Sequence, residues 1–335
     1  MVKKKFISMV ATLGLVLALA LVPVASPVMA DVNQTATGSF TVGNAVPTVG
    51  TPTVTASMTP YTQAWVNVTI TDNNKLSDLS KVETVLFYDA DGNYTDPGAS
   101  PTPDTKTLAI MTWYASNDTF TIQSGSPSTW SINNTTSTHP ALNTCTGDWK
   151  FSFQPGKVAT ETTGSDRWFA RVNATDSASA TGSANSTGST MQFYGEITVT
   201  TPTVDFGTVT LGSGFAANNK TANVTNIANG NYNETAKTDN GTGGASWDNT
   251  TAITVALNTT GTPGAGEFSL AVDDTITWGS SVNMTTAYQA INSTGVQTGE
   301  AGYPTGDHGL WLAMGSADIQ PATYNGTIYF QIEDR

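Results

Sequence analysis

The chain has 335 residues, 13 Lys+Arg against 26 Asp+Glu, a formal net charge of −13 and only 12% charged residues. So acidic a chain lacks the basic footprint that nucleic acid and anionic membrane surfaces require, which sets both aside and leaves divalent cations as the plausible ionic partners. One cysteine, Cys145, excludes an intramolecular disulfide framework, so stability has to come from burial, and Cys145 itself is expected as a semi-buried small hydrophobe.

The first thirty residues have the anatomy of a secretory signal. Lys3, Lys4 and Lys5 precede the apolar stretch "FISMVATLGLVLALALVPVA", and Val28 to Ala30 form a small-residue cleavage site. Pro23 and Pro27 break the run where a signal peptidase would cut, which favours a cleaved leader over a membrane anchor. Cleavage after Ala30 leaves about 305 residues with a net charge of −16 and no cysteine near the cut for a lipid. No later run approaches the roughly 18 apolar residues that span a bilayer. The expectation is an extracellular chain, released or held at the cell surface by non-covalent contacts.

Residues 31–44 read as an extended arm, and the remainder as short alternating strands separated by Gly, Pro, Asn, Asp and Ser clusters. That pattern predicts an all-β fold of two tandem antiparallel sandwiches. In "AWVNVTI", Ala64, Val66, Val68 and Ile70 share one face, while Trp65, Asn67 and Thr69 share the other. "KVETVLFYD", "TFTIQS", "WKFSF", "RWFARVNAT", "TANVTNI", "AITVAL", "FSLAV" and "GTIYFQI" follow the same rule, and only "SDLSKVE" suggests a helical turn. The Ser/Thr/Gly-rich segment 175–190 reads as a loop or linker. "MQFYGEITVTTPTVDFGTVTLG" after it promises two further strands. The domains are accordingly expected at 45–195 and 196–335.

The strongest signal is the triplet N-x-T. It occurs at Asn33, Asn67, Asn93, Asn117, Asn133, Asn134, Asn173, Asn185, Asn219, Asn223, Asn233, Asn240, Asn249, Asn258, Asn283, Asn292 and Asn325. With 25 asparagines and 59 threonines in the chain, chance gives about four such triplets rather than 17, and N-x-S is absent. The excess marks them as N-glycosylation acceptors. On a strand, Asn and Thr two residues apart share a face and the middle residue points the other way. Val68, Ala174, Val224, Met284 and Gly326 are small or apolar middle residues suited to a core. A glycan coat would hinder proteolysis and shield sheet edges.

"VPTVGTPTVT…WVNVTITDNNKLSDLSKVETVLFYDADGN" resembles immunoglobulin-like modules of archaeal cell-surface proteins, and "VDFGTVTLGSGFAANNKTANVTNIANGN" resembles a second such module type. The resemblance covers most of the mature chain, is fold-level, and transfers no catalytic residue. It implies a glycoprotein associated with a surface layer or an extracellular filament. Few sequons carry an acid two residues upstream, as bacterial systems favour, which agrees with an archaeal pattern.

Catalytic chemistry has little to work with. His139 and His308 are the only histidines, neither lies in a motif, and there is no H-E-x-x-H, G-x-S-x-G or P-loop. Asp273 and Asp274 read as a strand end and turn. The chain is therefore expected to be non-catalytic. No cofactor is required, and calcium is the best ligand candidate but the minority reading, with Asp72, Asn74 and Asp78 in "TDNNKLSD", and Asp89, Asp91, Asn93 and Asp96 in "FYDADGNYTD", as candidate oxygen ligands; turn chemistry comes first. The competing reading is turn chemistry, with Asp91-Gly92 as a hairpin turn, and Gly92 is misplaced for an EF-hand. Among the aromatics, Trp113, Tyr114, Trp130, Trp149 and Trp168 are expected in the core. Trp65, beside Asn67, is the candidate for a contact with a glycan or another subunit. Self-association, other surface proteins and polysaccharide are the expected partners. The arm could add as a strand to a neighbour's sheet edge. A secreted adhesin or carbohydrate-binding module is the alternative to a structural role.

Overall fold

The structure is a computed structural model that describes residues 37–123, 129–251, 253–299 and 305–335. The expected signal peptide and Asn33 lie outside these residues. The chain divides into a unit ending at Gly43 and a compact unit, Asn44–Arg335. In the first, residues 37–43 form no strand, and Phe40 and Val42 are 91% and 70% exposed.

The compact unit is all β. Its long strands are β1 (Ala64–Thr71), β2 (Leu79–Asp89), β3 (Leu108–Tyr114), β4 (Thr146–Gln154), β5 (Arg167–Asp176), β6 (Asn219–Ala228), β7 (Tyr232–Asp239), β8 (Glu267–Asp273), β9 (Gln289–Gly295), β10 (Thr305–Met314) and β11 (Thr327–Asp334). In the first sandwich, β1 pairs on one side with Thr48–Val49 and Thr53–Val54 and on the other with β4. The facing sheet runs Thr181–Asn185, β5, β2, β3, Thr119–Ile122. Alternation decides the faces: Ala64, Val66, Val68 and Ile70 are all buried, as expected, and meet Trp149, Phe151 and Phe153 of β4 in one core. Trp113, Trp149 and Trp168 are fully sealed. Each apolar side chain so placed contributes about 1.5–3 kcal/mol.

The second sandwich sets a seven-stranded sheet against a three-stranded one. The larger runs Gly195–Val199, β6, β10, β8, Thr254–Leu257, Ser246–Asp248, with Val282–Asn283 also on β8; the smaller runs β9, β7, β11. Val224, Leu270, Val272 and Leu310 of the large sheet pack on Ala236, Ile328 and Phe330 of the small one.

The two sandwiches are joined closely. Asn229, fully buried, donates to Ala159 O (2.9 Å) and Gln192 O (2.8 Å) and accepts from Tyr194 N (2.6 Å). Glu161 N donates to Asn229 O (3.0 Å), Gln297 Nε2 to Val158 O (2.8 Å), and Lys157 pairs with Glu196 (2.6 Å).

Three expectations change. Segment 175–190 is no linker: Thr181–Asn185 pairs with β5, and Thr190–Met191 runs parallel to Ser57–Met58. Of the two strands expected after it, Gly195–Val199 forms, but residues 201–212 join no ladder. The helical turn expected in "SDLSKVE" is there, as a 3-10 turn at Leu76–Asp78 running straight into β2. Cys145 is exposed rather than a semi-buried hydrophobe.

Candidate functional site

None of the sixteen described sequon asparagines is buried. Asn93, Asn117, Asn134, Asn185, Asn219 and Asn325 are exposed; Asn67, Asn133, Asn173, Asn223, Asn233, Asn240, Asn249, Asn258, Asn283 and Asn292 are half-buried. The two buried asparagines, Asn226 and Asn229, both lie outside sequons. The middle residues Val68, Ala174, Val224 and Met284 are buried at 3% exposure or less, because strand alternation turns them inward as it turns the acceptor pair outward. Gly326 is exposed, and the Trp247 indole rests where its Cβ would be.

The turn sequons share a local geometry. At Asn249, Asn258 and Asn292 the side-chain Oδ1 accepts from both the N–H and the hydroxyl of the threonine two residues on, at 2.8–3.0 Å. Asn240 does the same with Thr242, and Asn117 accepts from the Thr119 hydroxyl at 2.7 Å. These Asx turns occupy Oδ1 and leave Nδ2, the atom a glycan would take, outside the turn. At four of the described sequons, two of these turns included, Nδ2 donates to a carboxylate: Asn173 to Glu83 (3.3 Å), Asn223 to Asp307 (3.0 Å), Asn240 to Asp248 (3.2 Å) and Asn258 to Glu267 (2.8 Å).

The two calcium candidates fare differently. In "FYDADGNYTD", Asp89 and Asp91 each accept a backbone N–H two residues on, and Asp96 is ion-paired to the buried Arg171 guanidinium. The cation needed there is already a side chain. The Asn93 N–H and the neighbouring Asp89 hold the Asp91 carboxyl below its usual range. Gly92 takes φ +70°, but β2 pairs with β3 only after residues 90–107, so Asp91-Gly92 turns the start of a long connection rather than a tight hairpin. Tyr94 carries that connection back onto Phe87 and Phe169, with ring centroids 5.6 and 5.7 Å away.

In "TDNNKLSD", Asp72 is fully buried. Its Oδ1 accepts from Asn74 N (2.7 Å), and its Oδ2 has no hydrogen-bond partner. Asn74 Oδ1 accepts from Ala45 N (2.6 Å), and Asp78 from the Ser177 hydroxyl. The fold brings Asp176 here from the end of β5, where it accepts from Asn44 Nδ2 at 2.8 Å. Sequence spacing gives no hint of that third acid. Burial, then the charges of Asp78 and Asp176, raise the Asp72 carboxyl above its usual range. Among the described residues no three His, Cys, Asp or Glu side chains gather as a metal site.

Of the aromatics, Trp113, Trp130, Trp149 and Trp168 are core and Tyr114 is half-buried. Trp65 is half-buried on the Asn67 face of β1. An aromatic group not singled out in the sequence lies on the second sandwich: Trp278, 43% exposed, packs on Phe215 (4.6 Å) and Trp311 (5.5 Å).

The structure also assembles an acid–base cluster. His308 Nε2 of β10 faces Glu234 Oε1 of β7 at 2.7 Å, with side chains 3% and 1% exposed. Asn226 Nδ2 donates to Glu234 Oε2 (3.0 Å). Burial works against the His308 charge, but Glu234 outweighs it and raises the imidazole above its ordinary value. Burial, then Asp273 and Glu234, push Asp274 up to about 6. Three residues from three strands make the cluster, so no local motif announces it. Sealed as it is, the pair presents nothing to a substrate at the surface.

No protein-family model matches the chain, and no curated protein does. Among solved structures, the sporulation control protein Spo0M of Bacillus subtilis aligns over 44% of this chain with 10% identity and a TM-score of 0.26, and this chain spans about half (50%) of its length. A chaperone–tip adhesin complex of CFA/I fimbriae biogenesis aligns over 86% of this chain and 91% of its own, with 14% identity and a TM-score of 0.28. Likenesses this distant carry no functional argument.

Proposed function

We propose that the chain is a secreted, N-glycosylated, non-catalytic structural protein of the cell surface, a subunit or associate of a surface layer or extracellular filament. The observation that carries this reading is the segregation of asparagines. Those in sequons stay off the buried set, whereas the two that are buried, Asn226 and Asn229, are not in sequons. Every described acceptor is thereby left at least partly open to solvent, as attachment of a glycan requires. The disulfide-free β fold and the sealed interior of its one His–Glu pair fit the same role. The immunoglobulin-like and archaeal character of the modules belongs to this proposal.

Intact mass of the native protein is the direct test. The expected result is a leaderless chain carrying many glycans; a mass equal to the bare 31–335 chain overturns the reading. Electron microscopy of native cell surfaces then locates the protein in a lattice, sheath or filament.

A second reading, a carbohydrate-binding adhesin, is favoured by Trp278 alone. Its exposed ring, braced on Phe215 and Trp311, has the form of a sugar-stacking platform. Polysaccharide pull-down with folded protein, with and without Trp278→Ala, decides it.

A further inference from the structure

The core of the second sandwich is not closed all round. Where the three-stranded sheet ends, Phe268 of β8 and Leu312 of β10, only 2% and 4% exposed, border a cavity of about 760 Å³. Residues 203–209 form one wall and 319–325 the other. The first wall has strand-like alternation. Val204 and Phe206 turn inward onto the core, while Asp205 faces out. Yet among the described residues no backbone N–H or C=O from 202 to 209 pairs with another backbone group. Asp205 Oδ1 takes the Gly207 N–H at 2.7 Å and Gly207 turns the chain at φ +70°, so it is residues 203–206 that border the apolar cavity with unused ladder positions, the arrangement that invites an added strand.

The same chain supplies a complement. Phe40 and Val42 of the arm are 91% and 70% exposed. Residues 37–46 carry no charge, so none has to be desolvated on burial. Phe40 and Val42 are two residues apart, so on an extended backbone they present one apolar face, about 7 Å from one side chain to the next, which is also the spacing of Val204 and Phe206. Phe40 is the most exposed of the large apolar side chains among the described residues, at 91%, and leaving it in water is a cost unless something covers it.

We propose that this cavity receives the Phe40–Val42 segment of a second copy of the chain, added as a strand along residues 203–206. Donor and acceptor are different surfaces of one chain, so the contact is head-to-tail and repeats from copy to copy. The inference rests on the surface-assembly reading and gives that assembly its joint.

The test uses the full glycosylated chain. Phe40→Asp with Val42→Asp changes only exposed side chains, so the melting temperature should hold while assembly, read by light scattering and electron microscopy, is lost. In a Cys145→Ser background, Val42→Cys with Thr203→Cys should form an intermolecular disulfide on oxidation, seen as a non-reducing ladder. A synthetic peptide of residues 37–46 should bind and cap assembly, and its Phe40→Asp form should bind at least about tenfold more weakly. Assembly undiminished in the double-Asp variant overturns the joint but leaves the surface-assembly reading standing. A native chain that stays monomeric and ignores the peptide overturns both. A monomeric native chain that binds the peptide, with the Phe40 dependence, upholds the cavity and overturns the assembly.

Discussion

His308 and Glu234 meet at 2.7 Å across the interior of the second sandwich, one on the large sheet and one on the small. Such a pair costs desolvation on both sides, and breaking it by removing one partner leaves a buried charge. The His308 pKa is raised, so its contribution is complete below the unfolded imidazole value near 6.5 and is lost as pH rises through the raised folded value. The raised carboxyl of Asp274, at about 6, acts with the same sign, since the folded state holds that proton longer. Thermal unfolding should therefore show higher stability near pH 5.5 than near pH 8.5. Glu234→Gln should cost about 3–5 kcal/mol at the acid end and flatten the profile. A melting temperature that climbs through this window would contradict the assignment.

Asp72 offers the opposite lesson, an interaction improved by losing a charge. Its carboxyl is buried, faces Asp78 and Asp176, and leaves Oδ2 without a partner. Asp72→Asn keeps an oxygen for the Asn74 N–H and should raise stability at pH 7 by about 1 kcal/mol, while Asp72→Ala gives up the turn and should not. Denaturant midpoints of the two variants separate these outcomes. Gain in the alanine variant alone would show that the Asx turn is idle.

Asn229 satisfies three backbone groups with one side chain. Asn229→Leu leaves Ala159 O, Gln192 O and Tyr194 N without it, at about 1–3 kcal/mol for each orphan. Calorimetry should show the single unfolding transition split in two as the sandwiches uncouple. An unsplit transition at the native temperature would refute the coupling role.

Glycan occupancy should follow accessibility. The exposed Asn93, Asn117, Asn134, Asn185, Asn219 and Asn325 should be occupied more fully than Asn173, Asn223 and Asn258, whose amide nitrogens are held by Glu83, Asp307 and Glu267. Glycopeptide mass spectrometry reads this site by site. Equal occupancy in the two groups would mean that folding places no constraint on modification.

Strand faces were legible wherever one face is apolar, as in β1, because period-two alternation follows directly from the pleat. Pairing was not. Val204 and Phe206 alternate like a strand yet lie outside every ladder, since alternation reports which side is buried and says nothing of a hydrogen-bonded neighbour. Conversely, Thr181–Asn185 is a strand with almost no apolar residues, kept in register by five backbone positions on β5. The acids that matter were only half visible. Asp72 and Asp78 sit in one turn, but Asp176 arrives from the far end of another strand, and Glu234 and His308 are 74 positions apart. A long-range cluster of single polar residues leaves no periodic trace.

The Asn229 junction also has a mechanical meaning. A flexible linker between modules lets a pulled chain lengthen by straightening before any fold is strained. Here the Asn229 contacts, the Glu161 N–H, Gln297 and the Lys157–Glu196 pair would all be loaded together, in parallel. A cell coat made of such units would transmit force between its subunits instead of absorbing it at hinges inside them.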